Sequence, residues 1–83
     1  MAKVEIYTTP ACGYCIRAKR LLDEKNADYV EYDVYEDREK YEEVRADLPA
    51  PTLPQIVIEG DPIGGCDELY ALDRRGLLDG LLT

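Results

Sequence analysis

Residues 3–8 alternate, with Val4 and Ile6 on one side against Glu5 and Tyr7 on the other, in a run rich in β-branched and aromatic residues. A period of two is that of a strand with one face on a core, and Thr9-Pro10 ends it. From Cys12 the period lengthens. Cys15, Ala18, Leu21 and Leu22 share one helical face, opposite Arg17, Lys19, Arg20, Asp23 and Glu24, as far as Lys25-Asn26. Residues 29–34 alternate again, Val30, Tyr32 and Val34 against Glu31 and Asp33. Strand, helix, strand in this order makes a right-handed crossover between parallel strands, so the front half of the chain is α/β.

Over residues 36–48, Tyr41, Val44 and Leu48 return at helical spacing, with Asp37 placed to cap the helix and acidic residues in its first turn. Pro49, Pro51 and Pro54 then exclude helix, because each pushes the preceding residue toward an extended backbone. A strand over 55–59 follows. Gly60-Asp61 is a two-residue hairpin signal leading into a short strand at 62–64, where Pro62 suits a sheet edge. Residues 67–74 form a further helix with Leu69 and Leu72 inward, Gly76 stops it, and 77–82 make a last helical turn.

Composition narrows the class. The chain has 83 residues, which predicts a single domain over 1–83. It is 46% hydrophobic and 34% charged, a globular mixture, and with seven tyrosines but no Phe or Trp its core is expected to be mostly aliphatic. A net charge of -8 with no basic stripe argues against nucleic acid as a partner. No apolar run approaches the roughly 18 to 20 residues of a membrane span, and the N-terminus lacks the basic and apolar regions of a secretory signal. The expectation is a soluble, cytoplasmic protein. Three cysteines, an odd number, do not suggest a disulfide framework, which makes reactive or ligating cysteines the better reading.

Two of them form Cys12-Gly13-Tyr14-Cys15, a C-x-x-C spacing that serves zinc sites, dithiol redox pairs and iron-sulfur clusters alike. Without histidine, a zinc site would have only Cys12, Cys15, Cys66 and a carboxylate, a poor set. Position favours redox chemistry. Cys12 falls where the strand has ended and the helix begins, so its sulfur lies over amides with no helical partner, and these with the helix dipole favour a thiolate. A drop of about three pKa units raises the thiolate fraction about thirtyfold, but nucleophilicity falls about fifteen- to thirtyfold, so the surviving gain is as a leaving group. Cys15, one turn further on the apolar face, can reach the Cys12 sulfur but is poorly placed to meet a substrate. Cys12 is therefore read as nucleophile and Cys15 as resolving thiol.

At this point the chain resembles a glutaredoxin over nearly its whole length, through V-E-I-Y-T, C-G-Y-C, T-L-P-Q-I and I-G-G-C-D-E-L in that order. The resemblance implies a thioredoxin-like fold, a four-stranded mixed sheet flanked by helices, and glutathione as the thiol substrate. It implies a cis peptide before Pro54, with the Leu53 backbone, beside Thr52, pairing with the cysteinyl part of glutathione. Gly65, Cys66 and Asp67, after Gly64, would bind the γ-glutamyl end, the anion on free helix amides and the ammonium on Asp67. Tyr14 would flank Cys12. Many glutaredoxins carry Lys where Thr9 stands and Arg where Pro49-Ala50 stand, so the cation for the glycine carboxylate is missing here, leaving Arg38, Lys40 and Arg45 as substitutes.

The implied activity is that of a glutathione-disulfide oxidoreductase acting on protein disulfides and glutathionylated proteins, as a monomer. Two alternatives stand beside it. One is a redoxin recharged by thioredoxin reductase. The other is an iron-sulfur module: active sites with Gly where Gly13 stands are associated in this family with a [2Fe-2S] cluster bridging a homodimer. Its implied ligands are Cys12 of each subunit and two glutathiones, while the apo form holds no metal.

Overall fold

The computed structural model describes residues 2–83 and has the element order expected for an α/β chain. The strands are β1 (Val4–Thr8), β2 (Tyr29–Asp33), β3 (Gln55–Ile58) and β4 (Asp61–Gly64). The helices are α1 (Gly13–Glu24), α2 (Arg38–Val44, continued by a 3₁₀ turn, Arg45–Asp47), α3 (Cys66–Arg74) and α4 (Leu78–Leu82). The four strands form one mixed sheet in the order β2-β1-β3-β4. β1 pairs parallel to β2 and antiparallel to β3, and β3 pairs antiparallel to β4.

The sheet is covered on both faces, and this changes the reading of β1. Val4 and Ile6 pack into an aliphatic cluster with Ala18, Leu21 and Leu22 of α1, Ile56 and Ile58 of β3, Leu69 of α3 and Leu78 of α4. The opposite face, expected to be polar, is also buried. Tyr7 is 1% exposed and packs with Val34 and Val57, beneath Tyr41, Val44 and Leu48. The Tyr7 ring stacks on Tyr32 with centroids 5.3 Å apart and tilts against Tyr41 at 6.1 Å. The core is thus mostly aliphatic, as expected, and on this second face Tyr7, Tyr32 and Tyr41 add a cluster of rings among Val34, Val44, Leu48 and Val57. Glu5, drawn into this layer, is 8% exposed and lies 3.7 Å from Lys40.

Several local readings are corrected. The hairpin turn is Glu59-Gly60, both at positive φ (51° and 81°), and Asp61 already pairs with Ile58 as part of β4. Two positive-φ residues fit the twist of a tight hairpin, and the Gly at the second position makes that geometry accessible. The second helix is shorter than 36–48, since the proline-rich stretch and a 3₁₀ turn take its C-terminal end. Asp37 occupies the cap position without capping: its carboxylate instead accepts the Asp33 N–H at 3.0 Å. β2 is an edge strand, and the short α2 leaves Val30 50% exposed rather than inward. α3 begins at Cys66 with Gly65 as its cap, one residue before the predicted start.

Candidate active site

The chain leaves β1, passes through Ala11 at φ 59°, and enters α1 with Cys12 as its N-cap in extended geometry (φ -104°, ψ 111°). This is the place a cap normally gives to Ser, Thr, Asp or Asn, whose side chain accepts an orphan amide. Here the sulfur does so: the Cys15 N–H points to Cys12 Sγ at 3.2 Å. A donated amide hydrogen at a helix start is the environment in which a thiolate is favoured over a thiol. Cys12 is partly exposed and Cys15 is buried, and both are free thiols. Burial, reinforced by the Cys12 side chain, pushes the Cys15 thiol up to about 12. One helical turn thus separates a partly exposed sulfur that accepts an amide hydrogen from a buried thiol that holds its proton.

Cys12 Sγ lies 3.9 Å from the carbonyl oxygen of Leu53, across the site from α1. The Leu53-Pro54 peptide is cis, as the resemblance implied. Beside it opens a cleft of about 370 Å³ lined by Tyr14, Thr52, Leu53, Pro54, Gly65, Cys66, Asp67 and Glu68. Every non-cysteine residue predicted to bind substrate is therefore in one wall or another, together with Cys66. The walls come from three segments: the first turn of α1, the loop entering β3, and the start of α3. Gly65 is needed for their approach, since a Cβ there would sit 3.1 Å from the Pro54 carbonyl oxygen.

At the far end of the cleft, α3 presents the first amides of a nine-residue helix, groups without intrahelical acceptors. The Gly65 N–H is already taken by Glu68 Oε1 at 2.6 Å. Glu68 was not foreseen, although a carboxylate three residues after a cap is a recognisable sequence signal. It also packs under Gly64 (φ 115°), where a Cβ would meet its Oε1 at 2.8 Å. Asp67 is exposed, is not the cap residue of α3, and is among the residues lining the cleft. Cys66 is 5% exposed; burial raises its thiol pKa, with Arg17 opposing.

None of the three cations considered for the glycine carboxylate lines the cleft. Lys40 is paired with Glu5, Arg45 is paired with Glu42 at 3.0 Å, and Arg38 lies among the carboxylates of α2. The cation beside the site is Arg17, whose guanidinium lies 5.9 Å from the Tyr14 ring centroid and 5.4 Å from that of Tyr70. Its place one turn after Tyr14 is legible in the sequence, where helical spacing puts it on the solvated face. Among the described residues no group of three or more His, Cys, Asp or Glu is arranged to hold a metal ion.

Comparison with known proteins gives one family. The model of the glutaredoxin family matches residues 4–63. Glutaredoxin 3 of Escherichia coli (strain K12) is 50% identical over 82 residues, covering 99% of this chain and 99% of that protein. Among solved structures, the dithiolic glutaredoxin 2-C-Grx1 of Trypanosoma brucei brucei superposes with a TM-score of 0.84 at 38% identity, covering 99% of this chain and 88% of the other. A buckwheat glutaredoxin-glutathione complex superposes with a TM-score of 0.87 at 28% identity, covering 99% and 77%.

Proposed function

Because the chain belongs to the glutaredoxin family and is a glutathione-dependent thiol-disulfide oxidoreductase, we propose that Cys12 attacks, that Cys15 resolves, and that the adjoining cleft holds the glutathione half of a mixed disulfide. The observation that carries this reading is the position of Cys12 Sγ, an amide-bonded helix cap facing the Leu53 carbonyl beside the cleft. With a glutathionylated protein, the Cys12 thiolate attacks the glutathione sulfur, forms the Cys12-glutathione disulfide, and expels the protein thiolate, which takes a proton from solvent. A second glutathione thiolate then attacks the bound glutathione sulfur and expels Cys12, producing glutathione disulfide. The amide on Cys12 Sγ assists that departure.

With a protein disulfide, Cys12 first forms a mixed disulfide with the client. The Cys15 thiol then loses its proton to the departing client sulfur while its own sulfur bonds to Cys12, leaving a Cys12-Cys15 disulfide. Two glutathiones reduce it. The Leu53 backbone pairs with the cysteinyl peptide of glutathione as a short strand would. The α3 amides take its γ-glutamyl carboxylate and Asp67 its ammonium. Tyr14 shields the sulfurs. The test is NADPH oxidation with a glutathionylated peptide, glutathione and glutathione reductase, compared with thioredoxin reductase as the only recharging enzyme. Turnover in the first assay alone supports the reading, whereas turnover in the second alone identifies a thioredoxin-reductase client. The same proposal places the protein in the cytoplasm, where its three free thiols stay reduced; recovery in a periplasmic or membrane fraction would contradict it.

A second reading rests on Gly13, the first residue of α1, around which a Cβ would meet nothing within 4 Å. This leaves the surface next to Cys12 open to a second copy. One chain offers Cys12 alone as a partly exposed thiol, and the ligand set the resemblance implies for a [2Fe-2S] cluster is Cys12 from two copies with two glutathione thiols. Anaerobic reconstitution with iron, sulfide and glutathione, followed by sizing, tests it. A coloured dimer supports it and a colourless monomer refutes it.

A further inference from the structure

Gln55 opens β3 directly after Pro54, is 1% exposed, and stands opposite Tyr7 in the β1-β3 ladder. Its neighbours on that face, Tyr7 and Val57, belong to the tyrosine-lined cluster. A primary amide there loses its hydration, and an apolar side chain of the same length would avoid that cost. The amide makes two contacts, both to one residue: Nε2 donates to the Thr52 carbonyl oxygen at 2.7 Å and reaches Thr52 Oγ1 at 3.5 Å. Its Oε1 has no hydrogen-bond partner among the described residues. A buried polar group that is only half satisfied, by one good bond, is costly, and such breaks of a local rule are expected at functional or strained sites.

That bond closes a three-residue span over Thr52, Leu53 and Pro54, the segment that forms one wall of the cleft and places the Leu53 carbonyl 3.9 Å from Cys12 Sγ. We infer that Gln55 is a positioning residue for thiol-substrate binding: it pins the Thr52 carbonyl inward so that the next peptide unit presents its edge to the incoming glutathione. This rests on the proposed use of the 52–54 segment as the glutathione-pairing wall. Gln55 hydrogen-bonds to neither cysteine, and its side-chain bonds both go to Thr52. Its loss is therefore expected in binding rather than in the chemical step.

The test compares Gln55→Met, which keeps length and removes the donor, with Asp67→Asn on the opposite wall. Steady-state kinetics with a glutathionylated peptide should give Gln55→Met a three- to tenfold higher KM with kcat within twofold. Its rate of iodoacetamide alkylation at Cys12, which does not use the wall, should match the parent chain. Unchanged KM in Gln55→Met with raised KM in Asp67→Asn overturns the inference and leaves the glutathione cleft standing; unchanged KM in both overturns the two together. If Gln55→Met does not fold, the parent chain answers by NMR. The Gln55 side-chain amide protons should shift on saturation with S-methylglutathione, and resonances that stay in place would refute the role.

Discussion

Cys12 and Cys15 are one helical turn apart, yet their surroundings give them different work. The first is partly exposed and holds an amide hydrogen on its sulfur; the second is buried and keeps its proton to about pH 12. Cys12→Ser is expected to abolish every transfer, whereas Cys15→Ser should retain removal of glutathione from a mixed disulfide and lose most dithiol reduction, as read by parallel assays with a glutathionylated peptide and a protein disulfide. The cap position of Cys12 and the buried position of Cys15 were legible from the place of C-x-x-C at a strand-to-helix junction. The missing cation was legible too, as Thr9 in place of Lys, but not the fate of its substitutes, because side-chain pairing with Glu5 and Glu42 depends on tertiary neighbours. With the cleft lined by no cation, Thr9→Lys should lower the KM for glutathionylated substrate by up to about fivefold, the worth of a surface ion pair of about 0 to 1 kcal/mol. An unchanged KM would mean that Arg17 or another cation already serves the carboxylate.

Element by element, periodicity found each strand and helix, and the errors fell where covering layers or backbone geometry decided the outcome. The polar side of β1 could not be known to be buried without knowing that α2 and the 3₁₀ turn lie over it. The hairpin slipped by one residue because Glu59 adopts positive φ without being Gly, Asn or Asp. Gly13 is the first residue of α1 after an extended Cys12, which is the backbone a following proline requires. Gly13→Pro should accordingly stabilise the fold by about 0.4 to 1 kcal/mol, measured by urea denaturation, by restricting the unfolded chain. Any cluster-bridged dimer should be lost in the same variant. Gly65→Ala belongs to the opposite class, since its Cβ would press on the Pro54 carbonyl across the cleft. It should raise KM several-fold with little change in the rate of Cys12 alkylation.

For the whole molecule, the tyrosine side of the sheet and the buried resolving thiol set a common alkaline limit. Burial, with Glu5 as the next cause, pushes the Tyr7 hydroxyl up to about 12, and Cys15 reaches about 12 from an ordinary value of 9.0. Both groups are neutral when protonated, so each binds its proton more tightly folded than unfolded. Their contribution is fully present below about pH 9 and is lost as pH rises toward 12, at no more than about 1.4 kcal/mol per pH unit for each group. Urea midpoints measured between pH 8 and 11 should therefore fall, and Tyr7→Phe should flatten the part of the slope above pH 10. A midpoint that holds steady to pH 11 would contradict the sign.

The cleft draws its walls from the start of α1, the approach to β3 and the start of α3, with Cys12 and the Leu53 carbonyl it faces 41 positions apart along the chain. On the ribosome these walls emerge in sequence. A nascent chain would expose the C-x-x-C pair first, gain the Thr52–Pro54 wall later, and gain the amides of α3 only near the end of synthesis. Through that interval the two thiols are present without the walls proposed to bind glutathione. Under the proposed use of the cleft, its glutathione site is complete only once the last quarter of the chain has been made.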